Sequence, residues 1–291
     1  MRRFLFVGWA LLVGAGCGSS SAGDEASTAR PQIVVTHAVL GAVVTELVDG
    51  AADVKVLVPN GTDPHEWEPS AKDIEAVDRA DLVVANGLDL ESRLVEVLVR
   101  AEQDGVPVFR ATDHVDVRSG GDEHGEGGSD PHFWTDPIEM SNVVDALSAR
   151  LDEIGIDVDG EALKDEYAKL DGQVRDVLAG ISNRVLVTGH ESLGYFAARY
   201  DFELVGAVIP GMSPEVEATA ANLSELKDAM KAAGVDVIFT EAGTPADVTR
   251  TIAEETGAGV VELGTHLVPD EGTYRSFILG LASTIADALA S

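Results

Sequence analysis

The chain's 291 residues give room for two domains with separate cores, and a hydrophobic share of 45% fits a globular protein. A formal charge of -31, from 51 acidic against 20 basic residues, argues against nucleic acid and anionic membrane surfaces as partners. The single cysteine, Cys17, excludes a disulfide within the chain and any CxxC zinc knuckle, so a metal site here is built from His, Asp and Glu.

The first 23 residues differ in kind from the rest. Arg2 and Arg3 give a positive start, residues 4–13 form an apolar run, and Gly14-Ala15-Gly16 lead to Cys17. This is the pattern of a secretory signal, with an apolar run too short to span a bilayer. The small residues before Cys17 resemble a bacterial lipobox, in which the thiol is lipidated; Gly14 departs from it, since Leu or Val is usual there. Residues 18–30 are small and polar and read as a flexible tether.

From Gln32 on, strand-like runs alternate with amphipathic stretches. Strands are expected at residues 33–36, 54–58, 81–85 and 106–109, and helices at 39–49, 71–79 and 88–104. Ser70 and Asp73 form a capping pair for the second of these helices. Residues 114–130 break the pattern with a glycine-rich acidic loop containing His114 and His124. Asp136-Pro137 then places an N-cap and a first-turn proline at the start of a helix. Residues 160–182 carry one apolar face through Leu163, Tyr167, Leu170, Val174 and Ile181, and read as one long helix.

A second series follows, with strands at 185–188, 202–205, 235–240 and 260–263 and helices at 193–200, 214–233, 245–256 and 274–290. The fold class is therefore α/β: two similar domains, each a roughly four-stranded parallel sheet flanked by helices, joined by one long rigid helix. The expected bounds are 1–23 for the signal and start of the tether, 31–158 for the first domain, 159–183 for the linking helix and 184–291 for the second domain. Ligands of such sheets bind beyond the carboxyl ends of the strands, and with two halves the cleft between them is the natural site.

Several of the seven histidines fall just after expected strands. His65 lies in Asp63-Pro64-His65-Glu66-Trp67-Glu68-Pro69, His132 in Asp130-Pro131-His132-Phe133-Trp134, His190 after strand 185–188 and His266 after strand 260–263. A lone loop histidine is usually a surface or packing residue. Two copies of Asp-Pro-His-x-Trp are harder to dismiss, because proline fixes the backbone beside the ligand and the aromatic ring shields it. Three imidazoles and a carboxylate make a tetrahedral set for zinc, and Asp63, Glu66, Asp130 and Glu191 are the neighbouring carboxylates. The segment Pro210-Gly211-Met212-Ser213-Pro214 has turn and N-cap chemistry for the helix after it; a flap over the metal is the other reading.

These segments resemble the metal-binding proteins of zinc and manganese ABC importers, the ZnuA-like cluster A-I proteins. Pro64 to Pro69 match one family loop, and Asp130 to Trp134 match a second. Gly189-His190-Glu191-Ser192-Leu193-Gly194-Tyr195-Phe196 match the segment after a strand, and Ile238 to Glu241 match the Ile-Phe-Thr-Glu motif. The resemblance implies two domains joined by a rigid helix with metal between them. It implies His65, His132 and His190 as ligands. Many members carry an Asp soon after the last strand, where this chain offers Asp270 or His266. The wording around His190 and Val208-Ile209-Pro210 is similar to the AztC-type zinc subgroup, whose site is three His and one Asp, and this favours Asp270.

The implied function is capture of Zn(II) in the interdomain cleft and delivery to an ABC permease. A zinc metallochaperone is an optional loading partner, and no nucleic acid is involved. The implied protein is an extracytoplasmic monomer, periplasmic or held at the outer face of the cytoplasmic membrane by a lipid on Cys17. Zinc stands ahead of manganese because imidazole suits zinc, and relatives with Glu at the position of His190 lean towards manganese. The alternatives are a Mn(II) importer component, a zinc-dependent hydrolase and an adhesin. The hydrolase lacks an HExxH motif and a nucleophile elbow.

Overall fold

In the computed structural model, which describes residues 30–120, 128–270 and 272–290, eight short strands form two sheets. The expected signal with Cys17, and His124, lie outside these residues. The first sheet holds β1 (Gln32–Val35), β2 (Asp53–Val56), β3 (Leu82–Ala85) and β4 (Val108–Arg110) in the order β2-β1-β3-β4. The second holds β5 (Val185–Thr188), β6 (Glu203–Ala207), β7 (Val237–Thr240) and β8 (Gly259–Glu262) in the equivalent order β6-β5-β7-β8. Every pairing is parallel. In both sheets the chain winds one way and then the other from the strand that comes first in sequence, which leaves a crevice at the carboxyl ends.

The helices are α1 (Ala38–Val48), α2 (Ala71–Asp78), α3 (Val95–Gln103), α4 (Pro137–Glu153), α5 (Gly160–Leu178), α6 (Gly194–Arg199), α7 (Ala220–Ala233), α8 (Ala246–Thr256) and α9 (Tyr274–Leu289). Local chemistry explains several ends. Ser70 and Asp73 form the expected capping box of α2, and the Asp136 side chain accepts from Ile138 N–H at the start of α4, with Pro137 behind it. Two helices begin later than their apolar pattern suggests. Gly87, Leu88 and Asp89 all have positive φ, a left-handed stretch that a right-handed helix cannot enter, so α3 waits until Val95. Thr219 and Asn222 make a capping box that starts α7 at Ala220, leaving residues 214–219 outside it.

The core is not split into two. One apolar cluster runs from β1 and α1 through α4 and α5 to α6 and α9, joining Ile33, Val43, Trp134, Leu147, Leu170, Phe196 and Phe277. A smaller cluster on the outer side of each sheet completes the layers, one around Val77, Leu94 and Leu98, the other around Leu226, Met230 and Ile252. α5 packs on both α4 and α9, so the chain between the two sheets is embedded along its apolar face. Glu46 of α1 adds a polar tie: its carboxylate accepts from Tyr167 Oη of α5 at 3.2 Å and from Tyr274 N–H of α9 at 2.7 Å. Among the described residues no helix is long and apolar enough to cross a membrane.

Candidate metal site

The two sheets face each other with their carboxyl ends, and the segments leaving those ends carry the histidines. His37 follows β1, His65 lies in the loop after β2, His190 follows β5 and His266 lies beyond β8. His132 comes from the segment before α4, in a short helical turn over Phe133–Thr135.

Asp63 and Asp130 shape the two Asp-Pro-His loops in the same way. Asp63 Oδ1 accepts from the His65 N–H at 2.8 Å, and Asp130 Oδ1 accepts from the His132 N–H at 2.9 Å. Each Asp thus closes a turn onto the backbone two residues ahead, and the proline between them holds φ. The loop at His190 needs glycine before it: a Cβ on Gly189 would collide with the Thr244 hydroxyl and crowd Glu241. Thr188 Oγ1 then donates to the His190 carbonyl at 2.6 Å.

Three imidazoles converge. His132 Nε2 lies 3.3 Å from His65 Nε2 and 3.2 Å from His190 Nε2, and all three side chains are buried. A tetrahedral zinc with Zn–N of about 2.0–2.1 Å has N···N edges of about 3.3–3.4 Å. The nitrogens therefore already stand near the corners that such an ion requires. The three form the cluster of potential ligands found among the described residues.

The surrounding groups set their protonation. Burial, with His132 and His190 close by, pulls the His65 imidazole down to about 2. Burial and His190 hold His132 well below the usual range, so its ring is neutral. Its Nδ1 lies 2.8 Å from Asp130 Oδ1; burial raises the Asp130 carboxyl to about 7, and in its ionised form it accepts the Nδ1 proton and leaves the Nε2 lone pair turned inward. Burial lowers His190 as well, but the Glu241 carboxylate, 3.3 Å from His190 Nδ1, outweighs it and raises the group. Glu241 is itself buried, which alone would raise it. His190 and the hydroxyls of Ser192 and Thr265, each 2.7 Å away, instead bring it down to about 2. An ionised Glu241 and a neutral Asp130-backed His132 thus leave Nε2 as the metal-facing atom in both rings.

Trp134 forms the back wall. It is fully buried, donates from Nε1 to the Thr265 carbonyl at 3.0 Å, and carries His132, His37 and His266 around its ring at centroid distances of 5.2, 4.9 and 5.5 Å. His37 Nε2 is 3.2 Å from Asn86 Oδ1, and burial lowers its imidazole to about 4. His266 is buried, and neither ring nitrogen has a hydrogen-bond partner.

The structure does not bring the sequence candidates together in full. His65, His132 and His190 meet; Asp270 is exposed in the turn before α9 and stands outside their cluster. Asn60 grips Val268 by both amide atoms, at 2.7 and 2.8 Å, and Thr273 caps α9, and between these two fixed points Asp270 faces solvent. His266, on the inner side of that grip, faces Trp134. Glu241 is the functional group whose role sequence reasoning missed: its motif was visible, but not the convergence of Ser192, Thr265 and His190 on it.

Two parallel α/β halves with three inward imidazoles between them define a two-lobed metal-binding protein. The chain belongs to the family described as "ZnuA: Zinc-uptake complex component A periplasmic", matched over residues 33–288. It is 30% identical over 293 residues to the zinc-binding protein TroA of Treponema pallidum (strain Nichols), covering 92% of this chain and 91% of that one. It is 29% identical over 282 residues to the high-affinity zinc uptake system protein ZnuA of Bacillus subtilis (strain 168), covering 90% and 87%. It is 28% identical to the manganese-binding lipoprotein MntA of Halalkalibacterium halodurans, covering 96% and 94%. The solved structure of the periplasmic zinc-binding protein TroA from Treponema pallidum superposes with a TM-score of 0.79 at 27% identity, over 90% of this chain and 100% of that one. Members of this family are solute-binding components of ABC importers, not enzymes.

Proposed function

We propose that this protein captures Zn(II) outside the cytoplasm between its two halves and hands it to an ABC permease. The observation that carries the reading is the spacing of the three Nε2 atoms, 3.2 and 3.3 Å from His132 to its neighbours, which suits a tetrahedral ion. His65, His132 and His190 are the proposed ligands. His266 is the proposed fourth donor in preference to Asp270, because it is buried beside Trp134 with two unpartnered ring nitrogens while Asp270 faces solvent. Nitrogen donors favour zinc over manganese, and the zinc-binding relatives agree with that choice; the manganese-binding relative keeps the second metal in play.

Cys17 carries a lipid that tethers the protein through residues 18–30, in line with relatives whose names call them lipoproteins. The protein works as a monomer, with residues 31–158 and 184–291 as its two domains. A zinc metallochaperone is an optional source of cargo.

Thermal unfolding of the chain from Ala22, stripped with chelator and then given zinc or manganese, tests this. A ligand that binds only the folded state adds about 4 kcal/mol at a thousandfold excess over Kd. Zinc is expected to give the larger shift, and His65→Ala and His190→Ala to abolish it. A larger shift with manganese would move the metal assignment and leave the carrier in place. No shift with either metal would refute the site.

A further inference from the structure

Two sets of contacts cross between the halves, and they are built differently. One set is backbone-anchored and largely buried: Asn60 on both polar atoms of Val268, Gly61 N–H on the His266 carbonyl at 3.0 Å, and Trp134 on Thr265. The other set belongs to residues 210–219, the segment between β6 and α7 that forms no regular element. This segment touches the loop of His190, where Gly211 O accepts from the Glu191 N–H at 3.0 Å. Across the cleft it is held by side-chain tips. Met212 packs where a Cβ on Gly120 would be, and Pro214 and Asp63 meet at Gly243, whose φ of +83 keeps that point free of a side chain. Glu215 pairs with Arg93 Nη2 at 3.0 Å, and Arg93 also holds Glu68, in the same loop as His65.

We propose that residues 210–219 form a lid over the metal cleft and that Arg93 is its latch, so that the Glu68–Arg93–Glu215 bridge sets how fast bound metal leaves. The inference rests on the zinc-capture reading and adds to it a residue that touches neither metal nor ligand. Arg93 is placed to do this because one guanidinium spans both halves. It ties the ligand-bearing loop 63–69 of the first half to the lid of the second. The bridge lies in solvent, with side-chain exposures of 43% for Arg93, 45% for Glu215 and 71% for Glu68, so it is weak enough to open and sensitive to salt. The lid has few other holds on the first half, while the Asn60 and Trp134 contacts keep the remaining seam shut.

Release of zinc from the loaded protein into a chromogenic chelator, followed by stopped flow, tests the latch. Arg93→Ala and Glu215→Ala are each expected to speed release roughly two- to fivefold. The double variant should be no faster than either single one, since both remove the same bridge. Added salt should speed the wild type and leave Arg93→Ala nearly unchanged. Hydrogen exchange in the metal-free protein should quicken in residues 210–219 of Arg93→Ala and not in α4 or α5. Unchanged release, or a double variant whose rate is the product of the two single effects, would overturn the lid while leaving zinc capture intact. A chain that holds no zinc at all would remove both.

Discussion

The same tripeptide, Asp-Pro-His, builds two ligand loops in this protein, and the two hold their imidazoles differently. In both, the Asp Oδ1 takes the backbone N–H of the histidine, at 2.8 Å for Asp63 and 2.9 Å for Asp130. Only Asp130 goes further: the same oxygen lies 2.8 Å from the His132 ring, which is also packed on Trp134. Asp63 leaves its Oδ2 buried without a partner, pressed towards Gly243 of the other half, and the His65 ring does not receive it. The motif dictates the backbone turn, and the neighbours decide whether the ring is locked. His132 is the fixed corner of the site, and His65 the corner that rides on a loop.

Between the two loops, the larger effect should come from attacking the locked ring. Asp130→Ala removes both the turn and the acceptor of the His132 Nδ1 proton, and zinc affinity should fall about 10–100-fold by calorimetric or competition titration. Asp63→Ala removes the turn alone, so its loss should be smaller, below tenfold. If Asp63→Ala costs as much as Asp130→Ala, the two loops are equivalent and the contrast between them fails. Asn60→Ala comes next. It deletes the two hydrogen bonds that fasten the His65 loop to Val268, at about 1 kcal/mol each, and should lower the denaturation midpoint at unchanged denaturant slope. The smallest effect lies away from both loops, at Glu46.

Burial raises the Glu46 carboxyl above its ordinary 4.5, against the hydrogen bonds from Tyr274 and Tyr167. The folded state thus binds this proton more tightly than the unfolded chain does, so stability falls as pH rises out of the acid range. Metal-free wild type should therefore lose stability relative to Glu46→Gln as pH rises from acid to neutral, and the difference should level off once pH falls below 4.5. Unfolding midpoints at several pH values check the sign.

Much of this was readable in the chain because it is local. The capping box at Ser70, the Asp136-Pro137 helix start and the burial of 33–35 and 82–85 follow from a few adjacent residues. His65, His132 and His190 stood out because each sits in a segment whose neighbours already constrain it. What was not readable depends on distant contacts. Nothing near Asp270 separates a ligand from a turn residue; the Asn60–Val268 grip before it is formed over 208 positions. The apolar pattern starts helix 214–233 at Pro214, but the capping box of Thr219 and Asn222 delays its start to Ala220. Glu241 acquires its role from Ser192 and Thr265, 49 and 24 positions away. The shared core between the two sheets is of the same kind, since it depends on how α5 and α9 pack and not on any one segment's pattern.

The central claim is that zinc sits among imidazole nitrogens held by His65, His132 and His190. Zinc K-edge X-ray absorption on the one-to-one complex measures this directly. The account predicts a four-coordinate zinc at about 2.0–2.1 Å with a multiple-scattering signature of at least three imidazoles. A six-coordinate oxygen shell, or fewer than three imidazoles around the zinc, would contradict it.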